Sequence, residues 1–176
     1  MQERTFSLLS VTRAVVALLW AVALLIAIGD RIPTTASEVP LAAAVLLSAY
    51  PLIDAVASFV EARWINGAIS ALAAASLAVA TLAGDAGTAL VVFGSWAVVS
   101  GALQLTTALQ RRRSGAPQWP MIVSGGISIV AGLGFASMAG QDAAHFANLA
   151  GYAVGGAVLY LIWTARTRRT TLVAQP

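Results

Sequence analysis

TALVVFGSWAVVSGALQLTTAL, residues 88–109, decides the fold. It carries no charge along its length, and RRR at 111–113 follows almost at once. Crossing the hydrocarbon layer takes about 20 predominantly apolar residues at a rise of about 1.5 Å each. A run of this length with arginines at one end reads as a transmembrane helix stopped at a headgroup layer.

Five further runs qualify: 13–29, 40–60, 65–83, 120–139 and 146–165. The chain is 59% hydrophobic and only 10% charged, against about 25% charged in soluble domains. No soluble surface can be built from so few charges. The expected fold is an all-α membrane protein with six transmembrane helices arranged as three repeated helical hairpins. Arg4, Arg13 and the apolar run to Ile28 resemble a secretory leader. No clear small-x-small cleavage site follows before Asp30 and five spans come after it, so we read the run as the first helix. Thr35 and Glu38 have capping-box spacing and Pro40 suits a helix start. Residues 84–87, GDAG, read as a tight turn.

The ten cations are all arginine, and their placement matters more than their sum. With six spans, Arg4, Arg13, Arg63, Arg111, Arg112, Arg113, Arg166, Arg168 and Arg169 share one side, and Arg31 alone falls on the other. The positive-inside rule then puts both termini in the cytoplasm. Arg111, Arg112, Arg113, Arg166, Arg168 and Arg169 are the main topology determinants, and they also attract anionic lipid. No basic face or nucleic-acid motif accompanies them, so no nucleic-acid partner is expected.

The chain repeats internally. The second, fourth and sixth helices align on Tyr50, Trp96 and Tyr152, followed four residues on by Asp54, Ser100 and Gly156, then by Ser58, Gln104 and Tyr160. The third and fifth helices align Asn66, Ser70, Ala74 and Ala78 with Ser124, Ser128, Gly132 and Ala136. The expected organisation is one integral membrane domain over 1–170, with parallel repeat units of about 13–62, 63–112 and 118–167 and a short cytoplasmic tail at 171–176.

Phe93-Gly94-Ser95-Trp96, Ser100-Gly101-Ala102-Leu103-Gln104-Leu105 and Arg111, then Trp119-Pro120, Ser124-Gly125-Gly126-Ile127 and Gly132, then Gly151-Tyr152, Gly155-Gly156 and Arg166, resemble the HdeD family of bacterial acid-resistance membrane proteins, a short hydrophobic repeat of unknown function. The resemblance is best from about 63 to 169. It implies a multi-pass protein of the bacterial cytoplasmic membrane, non-enzymatic and tied to acid or envelope stress. It supplies no catalytic or ligand-binding residues. The first hairpin departs from the pattern, with Asp54 where the other copies have Ser100 and Gly156.

Asp54 is the sharpest site candidate. A carboxylate at mid-membrane costs about 2.5–3.5 kcal/mol on insertion scales, and desolvation favours its neutral form. It reads as a proton-binding group or, more plainly, as a protonated carboxyl hydrogen-bonded to a neighbouring helix. With Ser100 and Gln104 it also marks a candidate polar path, which keeps a small channel or proton-coupled transporter as the alternative function. Packing glue is the simpler role for Gln104, Ser95 and Ser100. Pro51 is expected to kink its helix and free a carbonyl one turn back. Gly151, Gly155, Gly156, Ser124, Ser128 and Gly132 are candidates for close helix packing, within the chain or against a second copy. Trp64, Trp119 and Trp163 read as interfacial anchors. His145 stands at the outer mouth of the sixth helix and reads as an ordinary exposed histidine. There is no Cys, which excludes thiolate chemistry and disulfides. With no catalytic constellation, no metal and no cofactor are expected, and the partners are the bilayer, a second copy or other membrane proteins.

Overall fold

The computed structural model describes residues 2–112 and 118–173. Six helices follow one another: α1 Gln2–Ile28, α2 Leu41–Val60, α3 Trp64–Ala83, α4 Ala86–Arg112, α5 Trp119–Met138 and α6 Ala147–Val173. All six are long and apolar enough to cross a membrane. The only strand-like feature among the described residues is an isolated bridge between Thr34 and Ala143. In hydrocarbon every backbone group must be satisfied within its own segment, which leaves the helix as the form for these runs.

The helices form a closed ring in which each packs on its sequence neighbours and α6 packs back on α1. The closest pairs are α4 with α5, α2 with α3, and α1 with α6. The sequence hairpins α1–α2, α3–α4 and α5–α6 meet less closely. The closest pairs are therefore offset by one helix from the sequence hairpins, and the third is split across the two ends of the chain. The repeat alignment is visible in side-chain chemistry all the same. The Trp96 indole N–H donates to Ser70 Oγ at 3.0 Å, and the Tyr152 hydroxyl donates to Ser128 Oγ at 3.0 Å. Ser70 and Ser128 are aligned residues, and so are Trp96 and Tyr152.

The tightest seam has a local cause. A Cβ added to Gly94 would lie 2.5 Å from the Gly132 carbonyl oxygen, and one added to Gly132 would lie 2.5 Å from that of Gly94. Gly101 and Gly125 meet in the same way one level down. Backbone thus touches backbone along α4 and α5, the packing that small residues permit in membranes. Ser124 and Ser128 are buried on the same helix as Gly132. Gly151, Gly155 and Gly156 behave differently: a Cβ at any of them meets nothing within 4 Å. Their expected role in packing within the chain is corrected on this point. The sequence around them is apolar on every side, so composition does not show which face of α6 looks outward.

At the centre, Phe93 on α4 stacks or packs edge-on with Trp20, Tyr50, Trp96, Phe135 and Tyr152, at centroid distances of 5.4 to 6.5 Å. The aligned aromatics Tyr50, Trp96 and Tyr152 therefore converge on one core. Pro51 is buried and α2 runs through it unbroken. The proline withholds a donor from the Leu47 carbonyl, and the carbonyl captured from outside is the adjacent one, with Trp20 Nε1 donating to Leu46 O at 2.6 Å.

At the end opposite the arginine clusters, three loops interlock. Thr35 donates from its N–H to the Asp142 carbonyl at 3.3 Å and from its hydroxyl to the Gln141 carbonyl at 2.7 Å, while its own carbonyl accepts from the Gly87 N–H at 2.7 Å. Thr35 is thus a link between loops, not a cap. Pro40 holds the N-cap position of α2 without a side-chain cap. Asp85 does cap α4, accepting from the Thr88 N–H and hydroxyl at 2.8 Å each. These two bonds hold its carboxyl below the ordinary carboxylate range.

Candidate functional site

The first hairpin carries what the other copies lack. Asp54 sits less than two turns before the end of α2 at Val60, about 9 Å along the axis. This places it in the half of the bundle nearer the arginines, not at its middle. Its carboxyl accepts on both oxygens. Arg13 Nη2 of α1 donates to Oδ1 at 2.6 Å, and Asn66 Nδ2 and Ser70 Oγ of α3 donate to Oδ2 at 2.9 and 2.8 Å. Every one of these partners is a donor, and Ser70 accepts in turn from Trp96. The set suits an acceptor-only carboxylate. The expected lone, neutral carboxyl is replaced by one matched with a guanidinium.

Three more groups complete the cluster. Arg13 Nη1 reaches Glu61 Oε1 at 3.2 Å. Arg63 Nε lies 2.9 Å from Glu61 Oε2, an ion pair by distance whose N–H does not point along the contact. Ser58, fully buried, accepts from Asn66 at 2.7 Å and from Arg63 Nη2 at 3.2 Å. The Arg13 guanidinium also stacks over the Tyr160 ring of α6 at 5.3 Å. Two cations and two carboxylates thus balance in one site, fed by α1, α2, α3, α4 and α6. The side chains of Arg13, Asp54 and Glu61 are each only about one-fifth exposed. A charge held in that position without a partner would be expensive.

The other sequence candidates lie apart from it. Gln104 donates to the Met121 carbonyl at 3.2 Å, tying α4 to the first turn of α5. Ser100 donates to the Trp96 carbonyl of its own helix at 2.6 Å, and Ser95 is exposed on the outer face of α4. Asp54 and Gln104 therefore belong to two separate groups. Trp64 and Trp119 are exposed, while Trp163 is buried against Tyr160, which removes it from the expected interfacial anchors. Arg166 stacks over Trp119 at 5.3 Å, and Arg111 and Arg112 are exposed at the end of α4. Arg113 and the side chains of Arg168 and Arg169 lie outside the described residues. His145 is exposed and has a left-handed backbone.

Arg13 is the residue that the sequence reading placed elsewhere, among the topology charges. Its signal was available. An intramembrane carboxylate calls for a cation, and Arg13 is the one arginine that falls inside any of the six apolar runs.

Residues 65–137 match the family model described as a short repeat of unknown function (DUF308). The match runs from the start of α3 to the end of α5 and contains the glycine seam, Asn66, Ser70 and Trp96. Arg13, Asp54, Glu61 and Arg63 fall before it. No curated protein and no solved structure matches the chain.

Proposed function

We propose that the chain is a non-enzymatic, non-transporting integral membrane protein of the HdeD type, serving acid or envelope stress from the bacterial cytoplasmic membrane with both ends in the cytoplasm. One observation carries the choice over a channel or transporter: Asp54 is committed to Arg13, Asn66 and Ser70, and the cluster around it balances two positive against two negative charges. A travelling proton needs an onward acceptor as well as a binding group, and the partners of Asp54 all donate to it, with none of them leading to Gln104. Gln104, the other residue of a candidate path, is engaged with α5. The match of 65–137 to a repeat of unknown function supports the family reading. The one-sided arginine placement supports the orientation.

The test is reconstitution. Liposomes containing the purified protein are expected to pass protons and small solutes no faster than protein-free liposomes, and deletion of the chain is expected to lower survival of acid challenge. Robust proton flux that is lost in Asp54→Asn would overturn this reading in favour of the transporter. A reporter active only outside the cytoplasm, fused after Pro176, should be silent; strong activity there would reverse the orientation.

A further inference from the structure

The α1–α2 seam has the loosest packing of any neighbouring pair in the ring, yet it carries both direct ion pairs that Arg13 makes. We infer that the cluster is a releasable latch: loss of charge on Asp54 and Glu61 frees Arg13 and opens the α1–α2 seam at its arginine-rich end. The inference is independent of the stress reading, because it concerns only which helix moves when the charges go.

The groups facing Arg13 are Asp54 and Glu61 from α2, Arg63 beside Glu61, Asn66 and Ser70 from α3 through Asp54, and Tyr160 from α6. A guanidinium stays charged at any accessible pH. Protonating both carboxyls would therefore leave Arg13 and Arg63 facing one another without a counter-charge in a poorly solvated site. The shortest relief is for the long Arg13 side chain to run out to the headgroups, drawing the first turns of α1 with it.

The other bonds of Asp54 do not share this fate. A neutral carboxyl still accepts from Asn66 and Ser70, so α2 and α3 stay joined. Farther along α1, Trp20 remains fixed by its bond to Leu46 and its contact with Tyr50 at 4.3 Å, which makes Trp20 the pivot. The other two repeats carry Ser100 and Gly156 at this position, so the threefold pattern is broken at this one seam. Residues that break a fold's own regularity are those expected to serve function.

The chain has no cysteine, so spin-label pairs can be placed cleanly at exposed, lipid-facing sites. V15C/V56C spans the seam, and V56C/L72C spans α2 and α3 as the control. In nanodiscs, lowering the pH from about 7.5 to about 2.5 passes well below the ordinary Asp and Glu values of about 3.9 and 4.3. The V15C/V56C distance should gain a second, longer population that disappears on return to neutral pH, while V56C/L72C stays constant. In D54N/E61Q the longer population should already be present at neutral pH and ignore pH. A single V15C/V56C distance that persists through the wild-type titration would overturn the latch, whether or not D54N/E61Q folds. That result would leave the stress reading intact, since the stress reading is judged by survival and flux.

Discussion

Gly132→Ala and Gly155→Ala make the same chemical change on adjacent membrane helices and should differ sharply in effect. Replacing glycine by alanine in a helix interior stabilises it by roughly 0.5–1 kcal/mol. That gain is common to both variants, so their difference isolates packing. At Gly155 the new methyl meets nothing within 4 Å. At Gly132 it would lie 2.5 Å from the Gly94 carbonyl oxygen and 2.8 Å from both the Val98 backbone nitrogen and Cγ2, where comfortable contact is about 3.5–4.0 Å. Backbone atoms cannot rotate away, so α4 and α5 must part, and the Gly101–Gly125 contact loosens with them. Overpacking of this kind costs about 1–3 kcal/mol, which is the expected gap between the variants. Reversible unfolding in mixed micelles with rising SDS fraction measures it. Equal unfolding midpoints, or a lower midpoint for Gly155→Ala, would refute the backbone-contact account of this seam.

Two further outcomes are expected. Ala62 ends α2 with a left-handed backbone, φ 57°, while Arg63 N–H donates to the Ser58 carbonyl at 2.8 Å and Ala62 N–H to that of Phe59 at 3.0 Å. This is a Schellman end with alanine where glycine is preferred, so Ala62→Gly should stabilise the fold by up to about 1 kcal/mol, read as a higher unfolding midpoint; a loss of stability would contradict it. Asp85→Ala removes the α4 cap and should cost about 1 kcal/mol at neutral pH. Because folding lowers the Asp85 pKa, its contribution is present above the ordinary carboxylate range and is lost as pH falls through the lowered value. The gap between wild type and Asp85→Ala should therefore close only in strong acid; a gap that closes near neutrality would sink the assignment.

Residues 88–109 and the five runs like them disclosed the helices because hydrocarbon leaves an uncharged 20-residue segment almost no other form. The repeat of Tyr50, Trp96 and Tyr152 was also legible, and the three rings do meet around Phe93. The phase of the pairing was not, because α1 closes on α6 through contacts with no sequence proximity to reveal them. Gly132 and Gly155 look alike in the sequence, since amphipathicity points no face of a wholly apolar helix toward its neighbours. At the site, Asp54 was legible as a costly residue and Ser58, Asn66 and Ser70 as repeat positions. Their meeting with Arg13 depends on α1, the helix that follows the repeat least well.

A double-mutant cycle on Arg13 and Asp54 tests the central claim most directly. Arg13→Gln and Asp54→Asn should each destabilise by about 3 kcal/mol, the lower end for breaking a buried pair, because one-fifth of each side chain is exposed. Made together, they should cost little more than either alone, giving a coupling energy of up to about 3 kcal/mol. Losses that simply add would show that the two charges do not act on one another, and the cluster would no longer be the centre of this protein.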